Sequence, residues 1–235
     1  MTLLILTNDD GIDAPGIRAL QAALPPSEQS VIVAPDAPHS GCSHQMNRGG
    51  AIAINERLAP KGDREYAIGG TPADCSRVAL SHLHPDADWV LSGINAGGNM
   101  GADVYLSGTV AAVREAVLLR KPGIALSQYR YRSQPIDWPR ATQLAQKVLN
   151  KLMDQPMSDG EFWNVNFPAP PLDGSVDNPD IVFCEGCTQP LPLECSVDET
   201  GFRYTGAYES RPRDAGRDVD VCLSGRISVV KMKLW

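Results

Sequence analysis

Leu3-Leu4-Ile5-Leu6-Thr7-Asn8-Asp9-Asp10-Gly11 joins an unbroken apolar run to a polar turn carrying two adjacent carboxylates. Four consecutive apolar residues leave no solvent face, so the run reads as a strand covered on both sides. Gly16–Leu24 follows, with Ile17, Leu20, Ala23 and Leu24 on one helical face and Pro25-Pro26 as its stop. A second strand of the buried kind, Val31–Ala34, ends at Pro35-Asp36. The alternation continues. Ala51–Ile54 and Tyr66–Ile68 read as strands, and Thr71-Pro72 as an N-cap plus first-turn proline opening a helix to about Leu83. Trp89–Leu91 reads as a strand, Thr109–Arg120 as a helix with Val110, Val113, Val117 and Leu118 inward, and Gly123–Leu126 as a strand. Trp138–Met153 and Phe162–Phe167 add one more helix and strand. Helices interleaved with such strands imply right-handed crossovers, hence an α/β fold with a mostly parallel sheet and helices on both faces.

From Pro168 the texture changes to prolines, turn residues and β-like stretches at Ile181–Cys184, Phe202–Tyr208 and Arg226–Val230. The expected organisation is a catalytic core over residues 1–167 and a β-hairpin-rich appendage or oligomerisation arm over residues 168–235.

Composition bounds the partners. Of 235 residues, 43% are hydrophobic and 21% charged, an ordinary globular mix. Lys plus Arg is 21 against 28 Asp plus Glu, a formal charge of −7 that argues against duplex nucleic acid, which needs a basic face. The apolar start has no basic flank and stops at Asn8, and no stretch approaches eighteen apolar residues, so neither a signal peptide nor a membrane span is expected. The six cysteines then read as reduced thiols of a cytoplasmic protein. Cys184-Glu185-Gly186-Cys187 is a lone CxxC lacking two further zinc ligands, so buried or incidental thiols are the expectation there.

In an open parallel sheet, ligands bind beyond the carboxyl ends of the strands. Those exits carry Asn8-Asp9-Asp10-Gly11, then Asp36 with His39-Ser40-Gly41, then Gly69-Gly70-Thr71, then Ser92-Gly93-Ile94-Asn95. Two adjacent carboxylates stay ionised only beside a cation or strong donors. With the Ser40 hydroxyl and the Asn95 amide oxygen they form a hard-oxygen set suited to Mg2+, Mn2+ or Ca2+. The competing reading is a plain turn with Asp10 capping the next helix. Asn8 either orients a water or phosphate oxygen or fixes that turn. Asp36 and Asp74 read as structural, and His39 and His44 as loop histidines or general acids.

Gly97–Thr109 is a glycine-rich loop running into a helix start. Unpaired N–H groups and the helix dipole there favour an anion, with Ser107 and Thr109 hydroxyls as further donors. Ordinary capping by Thr109 is the alternative. Other phosphate devices are absent: there is no Gly-Lys dipeptide for a Walker A loop, no GxGxxG within 97–101, no Asp-x-Asp after the first strand and no Gly-x-Ser-x-Gly.

Five motifs recur in order: Thr7-Asn8-Asp9-Asp10-Gly11; Ala34-Pro35-Asp36 with Ser40-Gly41; Gly70-Thr71-Pro72-Ala73-Asp74-Cys75; Ser92-Gly93-Ile94-Asn95-Ala96-Gly97; and Ser107-Gly108-Thr109-Val110. Together with Asn164-Val165-Asn166-Phe167-Pro168 they resemble the SurE family of stationary-phase survival proteins. The resemblance implies a Rossmann-like core and a metal-dependent phosphomonoesterase acting on nucleoside 5′- and 3′-monophosphates, with short polyphosphate cleaved by some members. It implies one divalent cation, Mg2+ or Mn2+, per subunit, held by Asp9, Asp10, Ser40 and Asn95. Asp9, Asp10 and Asn8 are then the catalytic candidates, and Asn95, Gly97, Ser107, Gly108 and Thr109 the substrate-binding ones. It further implies a homodimer or homotetramer exchanging C-terminal arms. An exopolyphosphatase or broad phosphatase, and a non-catalytic metal- and nucleotide-binding sensor, are the alternatives. The departures lie in the tail: Gly216-Arg217-Asp218 stands where the family reads Gly-Thr-Asp, and Ile227–Met232 differs from its Val-Ser-Ile-Thr-Pro-Leu.

Overall fold

Strand β1 (Leu3–Thr7) is buried on both faces, Leu4 and Leu6 packing into one core and Ile5 into another. The same two-sided alternation marks β2 (Gln29–Pro35), with Ile32 and Ala34 on one side and Val33 on the other. The computed structural model describes residues 2–59, 63–171 and 178–235. After β1 comes α1 (Pro15–Ala22), and after β2 come β3 (Ile54–Leu58) and β4 (Arg64–Ile68). Helix α2 (Pro72–Val78) opens as expected, with Thr71 and Asp74 capping each other, and runs into a π-turn at Ala79–Leu83. Then follow β5 (Trp89–Asn95), α3 (Gly108–Leu118), β6 (Gly123–Gln128), α4 (Trp138–Leu152) and β7 (Glu161–Phe167). Past residue 178 lie β8 (Ile181–Cys184), β9 (Cys195–Asp198), β10 (Gly201–Tyr204), α5 (Asp218–Leu223) and β11 (Ile227–Lys233).

Among the described residues nine strands form one sheet in the order β3-β4-β2-β1-β5-β6-β7-β11-β8. The pairs from β4 through β7 are parallel, while β3 on β4 and β11 on β7 are antiparallel. Helices α1 and α4 cover one face with Ile17, Leu20, Leu144 and Val148, and α2, the turn after it and α3 cover the other with Cys75, Leu80, Val110 and Val113. The expected α/β class, parallel sheet and two helical layers are therefore present. β1 sits between β2, reached through α1, and β5, reached from the other direction. This reversal of strand order opens a crevice at the carboxyl ends of β1 and β5. It brings Asn8–Asp10 and Asn95–Gly97 to one place.

Strand β3 lies downstream of the expected Ala51–Ile54, on the polar Ile54-Asn55-Glu56-Arg57-Leu58, because an antiparallel edge strand needs only backbone pairing with β4. Beyond residue 168 the described chain divides its strands. β8 and β11 extend the main sheet, β11 wedged between β7 and β8, and α5 packs beside them. β9 and β10 stand apart as a two-stranded hairpin, exposed at every residue. No helix among the described residues is long and apolar enough to cross a membrane.

Candidate active site

Asp9 follows the last buried residues of β1 and is itself only 4% exposed. Its Oδ1 accepts a 2.5 Å hydrogen bond from the Thr109 hydroxyl, tying β1 to the first turn of α3. Burial dominates its acidity: desolvation and the neighbouring Asp10 charge outweigh the Thr109 bond and push its pKa up to about 6. Asp10 is half-buried, and its Oδ2 accepts from the Ala96 backbone N–H at 3.1 Å, which clamps the β5 exit to the β1 exit. Burial raises its pKa too, against the opposing pull of the Ala96 bond and the Arg130 charge. Asn8 is fully buried; its Nδ2 donates to Gly11 O at 2.8 Å, fixing the turn, while its Oδ1 is buried without a partner.

The loops close around this pair. The His39 N–H donates to Asp9 O at 2.7 Å, and Ser40 is the next residue, on an exposed turn. That turn is held at its far end, where the Ser43 N–H donates to Leu106 O at 3.0 Å and His44 Nε2 lies 2.9 Å from Glu115. Glu115 is buried on α3 and also pairs with Arg77. Burial would raise its pKa, but His44 and Arg77 outweigh burial and hold the carboxyl below its usual range. His44 is thus committed to anchoring the loop. Asp74, capping α2, receives Asn47 and Thr71 donors and is structural in the same sense. Asn95 donates its Nδ2–H to Gly97 O at 2.9 Å, which fixes the side chain at the β5 exit.

Helix α3 begins one residue earlier than the sequence pattern suggests. Ser107, not Thr109, is its N-cap, the Ser107 hydroxyl oxygen accepting from Val110 N at 3.0 Å. Thr109 is inside the first turn with its hydroxyl proton committed to Asp9. The first N–H groups of α3, at Gly108 and Thr109, have no partner within the helix and face the anion-favouring end of its dipole. Gly108 is required by contact: a Cβ there would lie 2.8 Å from Asp9 Cβ, 3.0 Å from Asp9 Oδ2 and 3.1 Å from Cys42 Sγ.

The donor set fits a hard divalent cation. Asp9, Asp10 and Asn95 lie at the exits of β1 and β5, and Ser40 follows the residue bonded to Asp9 O; two carboxylates, an amide oxygen and a hydroxyl are donors of the kind such a cation takes. The unpartnered Asn8 Oδ1 belongs to the same turn. Among the described residues no three His, Cys, Asp or Glu side chains group as metal ligands, so a cation beside Asp9 and Asp10 would need neutral oxygens as well. Cys184 and Cys187 form no zinc cluster there, and all six cysteines are unpaired. Past the β5 exit an open cleft of about 520 Å³ runs from Ala96, Gly97 and Gly98 to Arg130, Arg132 and Tyr208. Arg130, Arg132 and Tyr208 carry no motif spacing, and only the folded loops bring them to the crevice.

Comparisons with known proteins bear on this arrangement. A family profile described as "Survival protein SurE" matches residues 4–188. A candidate 5′-nucleotidase of Synechocystis is 46% identical over 230 residues, covering 98% of this chain and 99% of its own. The Burkholderia lata protein named 5′-nucleotidase SurE 1 is 42% identical over 236 residues, covering 98% of this chain and 90% of its own. The crystal structure of the Aquifex aeolicus SurE protein superposes with a TM-score of 0.80 at 28% identity, over 98% of this chain and 93% of the other.

Proposed function

The chain belongs to the SurE family, and from that premise we propose that it is a divalent-metal phosphomonoesterase converting nucleoside 5′- and 3′-monophosphates to nucleoside and phosphate. The observation that carries this reading is the Asp9–Asp10 pair set against the N-terminus of α3, with Thr109 bonded to Asp9 across the gap. Asp9, Asp10, Ser40 and Asn95 would hold one Mg2+ or Mn2+. When bound, that ion supplies a polarised phosphoryl oxygen and a water of lowered pKa. The reaction forms a bond from water oxygen to phosphorus and breaks the ester P–O bond in line, the leaving oxygen taking up a proton. The Gly108 backbone N–H and the Ser107 hydroxyl hold the equatorial oxygens as charge builds on them, with Thr109 tying Asp9 beside them. Thr109 fixes the Asp9 carboxylate, Ala96 fixes that of Asp10, and Asn8 holds the turn beneath both. The leaving nucleoside would occupy the cleft past Gly97 and Gly98.

Purified protein is expected to hydrolyse 5′-AMP and a chromogenic phosphate ester with Mn2+ or Mg2+, and to stop on adding a chelator. Chelator-resistant turnover overturns the metal reading, and metal binding with no turnover supports a sensor instead. 3′-AMP and triphosphate belong in the same panel, since they separate a nucleotidase from a broad phosphatase or an exopolyphosphatase. Gly108→Ala should leave the helix intact, since alanine is the better helix former. Its methyl group must displace the buried Asp9, so kcat/KM should drop by about 10²-fold and the melting temperature should fall as well, by the roughly 1–3 kcal/mol that overpacking costs, with the protein still folded. Equal activity in that variant would show that the approach of α3 to Asp9 is not needed.

In this reading residues 1–167 supply the catalytic groups and the β9–β10 hairpin is the arm that meets a second copy, giving a dimer or tetramer. Its Val197, Phe202 and Tyr204 are 74%, 57% and 78% exposed, a poor state for a solvated hairpin but a natural one for an exchanged arm. The six free thiols fit a reducing cytoplasm.

A further inference from the structure

We propose that Tyr208 and Arg211, in the segment leading to α5, are positioning residues that brace the Gly97–Leu106 loop and thereby set the phosphate cradle; only the kinetic consequence rests on the hydrolase reading. The loop leaves β5 after Asn95 and reaches Ser107 through Gly97, Gly98 and Gly101, with a single 3-10 turn at Gly101–Tyr105. Such a composition has little stiffness of its own. One anchor is on the sheet, where Asn99 bonds to Ser127, Asn164 and Asn166 at 2.7–3.1 Å. It holds only the near end.

Past Asn99 the last residues are held by Arg114, whose Nη2 donates to Val104 O at 3.0 Å, and by Ser43 N on Leu106 O at 3.0 Å, while the middle of the loop is held by residues about a hundred positions away. The Arg211 side chain is fully buried, its Nη1 2.9 Å from Asp103 Oδ2 and its Nη2 donating to Met100 O at 2.9 Å. The Tyr208 hydroxyl donates to the same Asp103 oxygen at 2.5 Å. The Tyr208 ring has Tyr129 stacked at 24° with centroids 6.1 Å apart, and the Arg211 guanidinium 4.8 Å from its own centroid. Asp218 completes the clamp by accepting Gly101 N at 2.8 Å and Cys187 N at 2.7 Å.

Stability alone is a poor account of Arg211. Its Nε–H is buried without a partner among the described residues, and a guanidinium desolvated against one carboxylate gains little over a well-packed apolar side chain. What it supplies is geometry: a fork that fixes the Met100 carbonyl and the Asp103 side chain at once. Because Asp103 also receives Met100 N at 3.2 Å, the 3-10 turn that delivers Ser107 to the head of α3 is locked from its first residue.

The test uses the full chain and two readouts: amide hydrogen exchange across residues 97–106, and steady-state kinetics on 5′-AMP. Tyr208→Phe and Arg211→Met should quicken exchange in that loop by about tenfold or more while β1 and α4 keep their protection. For Arg211→Met, kcat should fall by about 10²-fold with KM moving much less, as expected when the groups that meet the transition state are misplaced. Arg211→Lys, keeping the charge and one donor, should recover part of that loss. Wild-type exchange in the loop of these variants, or faster exchange confined to residues 205–218, overturns the proposal. If Arg211→Met fails to fold, Tyr208→Phe decides, since it removes one hydroxyl. If the wild type has no turnover, the hydrolase reading falls while the exchange result still decides the brace.

Discussion

Asp9→Asn and Asp10→Asn are each expected to lose at least about 10²-fold of metal-dependent phosphatase turnover, more than the loss usual for groups that only support metal ligands, with circular dichroism unchanged. Both substitutions keep shape and hydrogen-bonding atoms. The amide oxygen placed at position 9 could still accept from the Thr109 hydroxyl, and the one at position 10 from the Ala96 N–H, so the turn and the α3 contact survive. What disappears is one of the two negative charges on which the site's attraction for a cation rests. The competing account of Asp9-Asp10-Gly11 is a plain turn; Asp10 does not cap α1, whose N-cap is Ala14 with no side-chain bond, so that account reduces to carboxylates that only tie neighbouring backbone and predicts near-normal turnover for both variants. The two accounts therefore separate on one assay, and retained activity in both would remove the metal site from the mechanism. Raising the Mn2+ concentration should rescue the variants only in part, since affinity and charge compensation are lost together.

Much of this arrangement is legible along the chain, because the crevice is built from segments that directly follow strands. A four-residue apolar run ending in Thr7-Asn8-Asp9-Asp10 announces both a buried strand and a polar strand exit, and Trp89–Asn95 does the same. Parallel pairing then has to place the exits side by side, as β1 and β5 do. The cap of α3 is not decidable at that level, because Ser107 and Thr109 are both good capping residues two positions apart. Only the Thr109 bond to Asp9, a contact across a hundred residues, decides between them. Strand β9 and helix α5 are illegible for a different reason. β9 is exposed throughout and α5 is six residues long, so neither carries a period to read. The Arg211–Asp103 pair lies beyond any such reading, since charges at large separation declare no partner until the loop and the tail fold together.

Asp9→Asn should also make the protein more stable, by about 3 kcal/mol above pH 7 in the presence of chelator, since roughly two pKa units at about 1.4 kcal/mol each separate the folded and unfolded carboxyl. The folded-state pKa of Asp9 is pushed up from the ordinary 3.8 to about 6, mainly by burial. A carboxyl whose pKa is raised on folding binds its proton better in the native state. Its contribution is therefore neutral at pH values below 3.8, turns unfavourable as pH rises, and is fully unfavourable once the pH passes about 6. Removing the charge removes that penalty. For a domain of this size the gain is a rise of about 6–12 °C in melting temperature at pH 8. The gap between variant and wild type should close progressively from about pH 6 to about pH 4, as the wild-type carboxyl takes up its proton in the native protein. Adding Mn2+ should close it from the other side, stabilising the wild type by mass action and the variant much less. A variant no more stable than wild type at pH 8, or a gap that ignores pH, would show that the Asp9 charge is already compensated inside the fold. The crevice would then have no need of a cation.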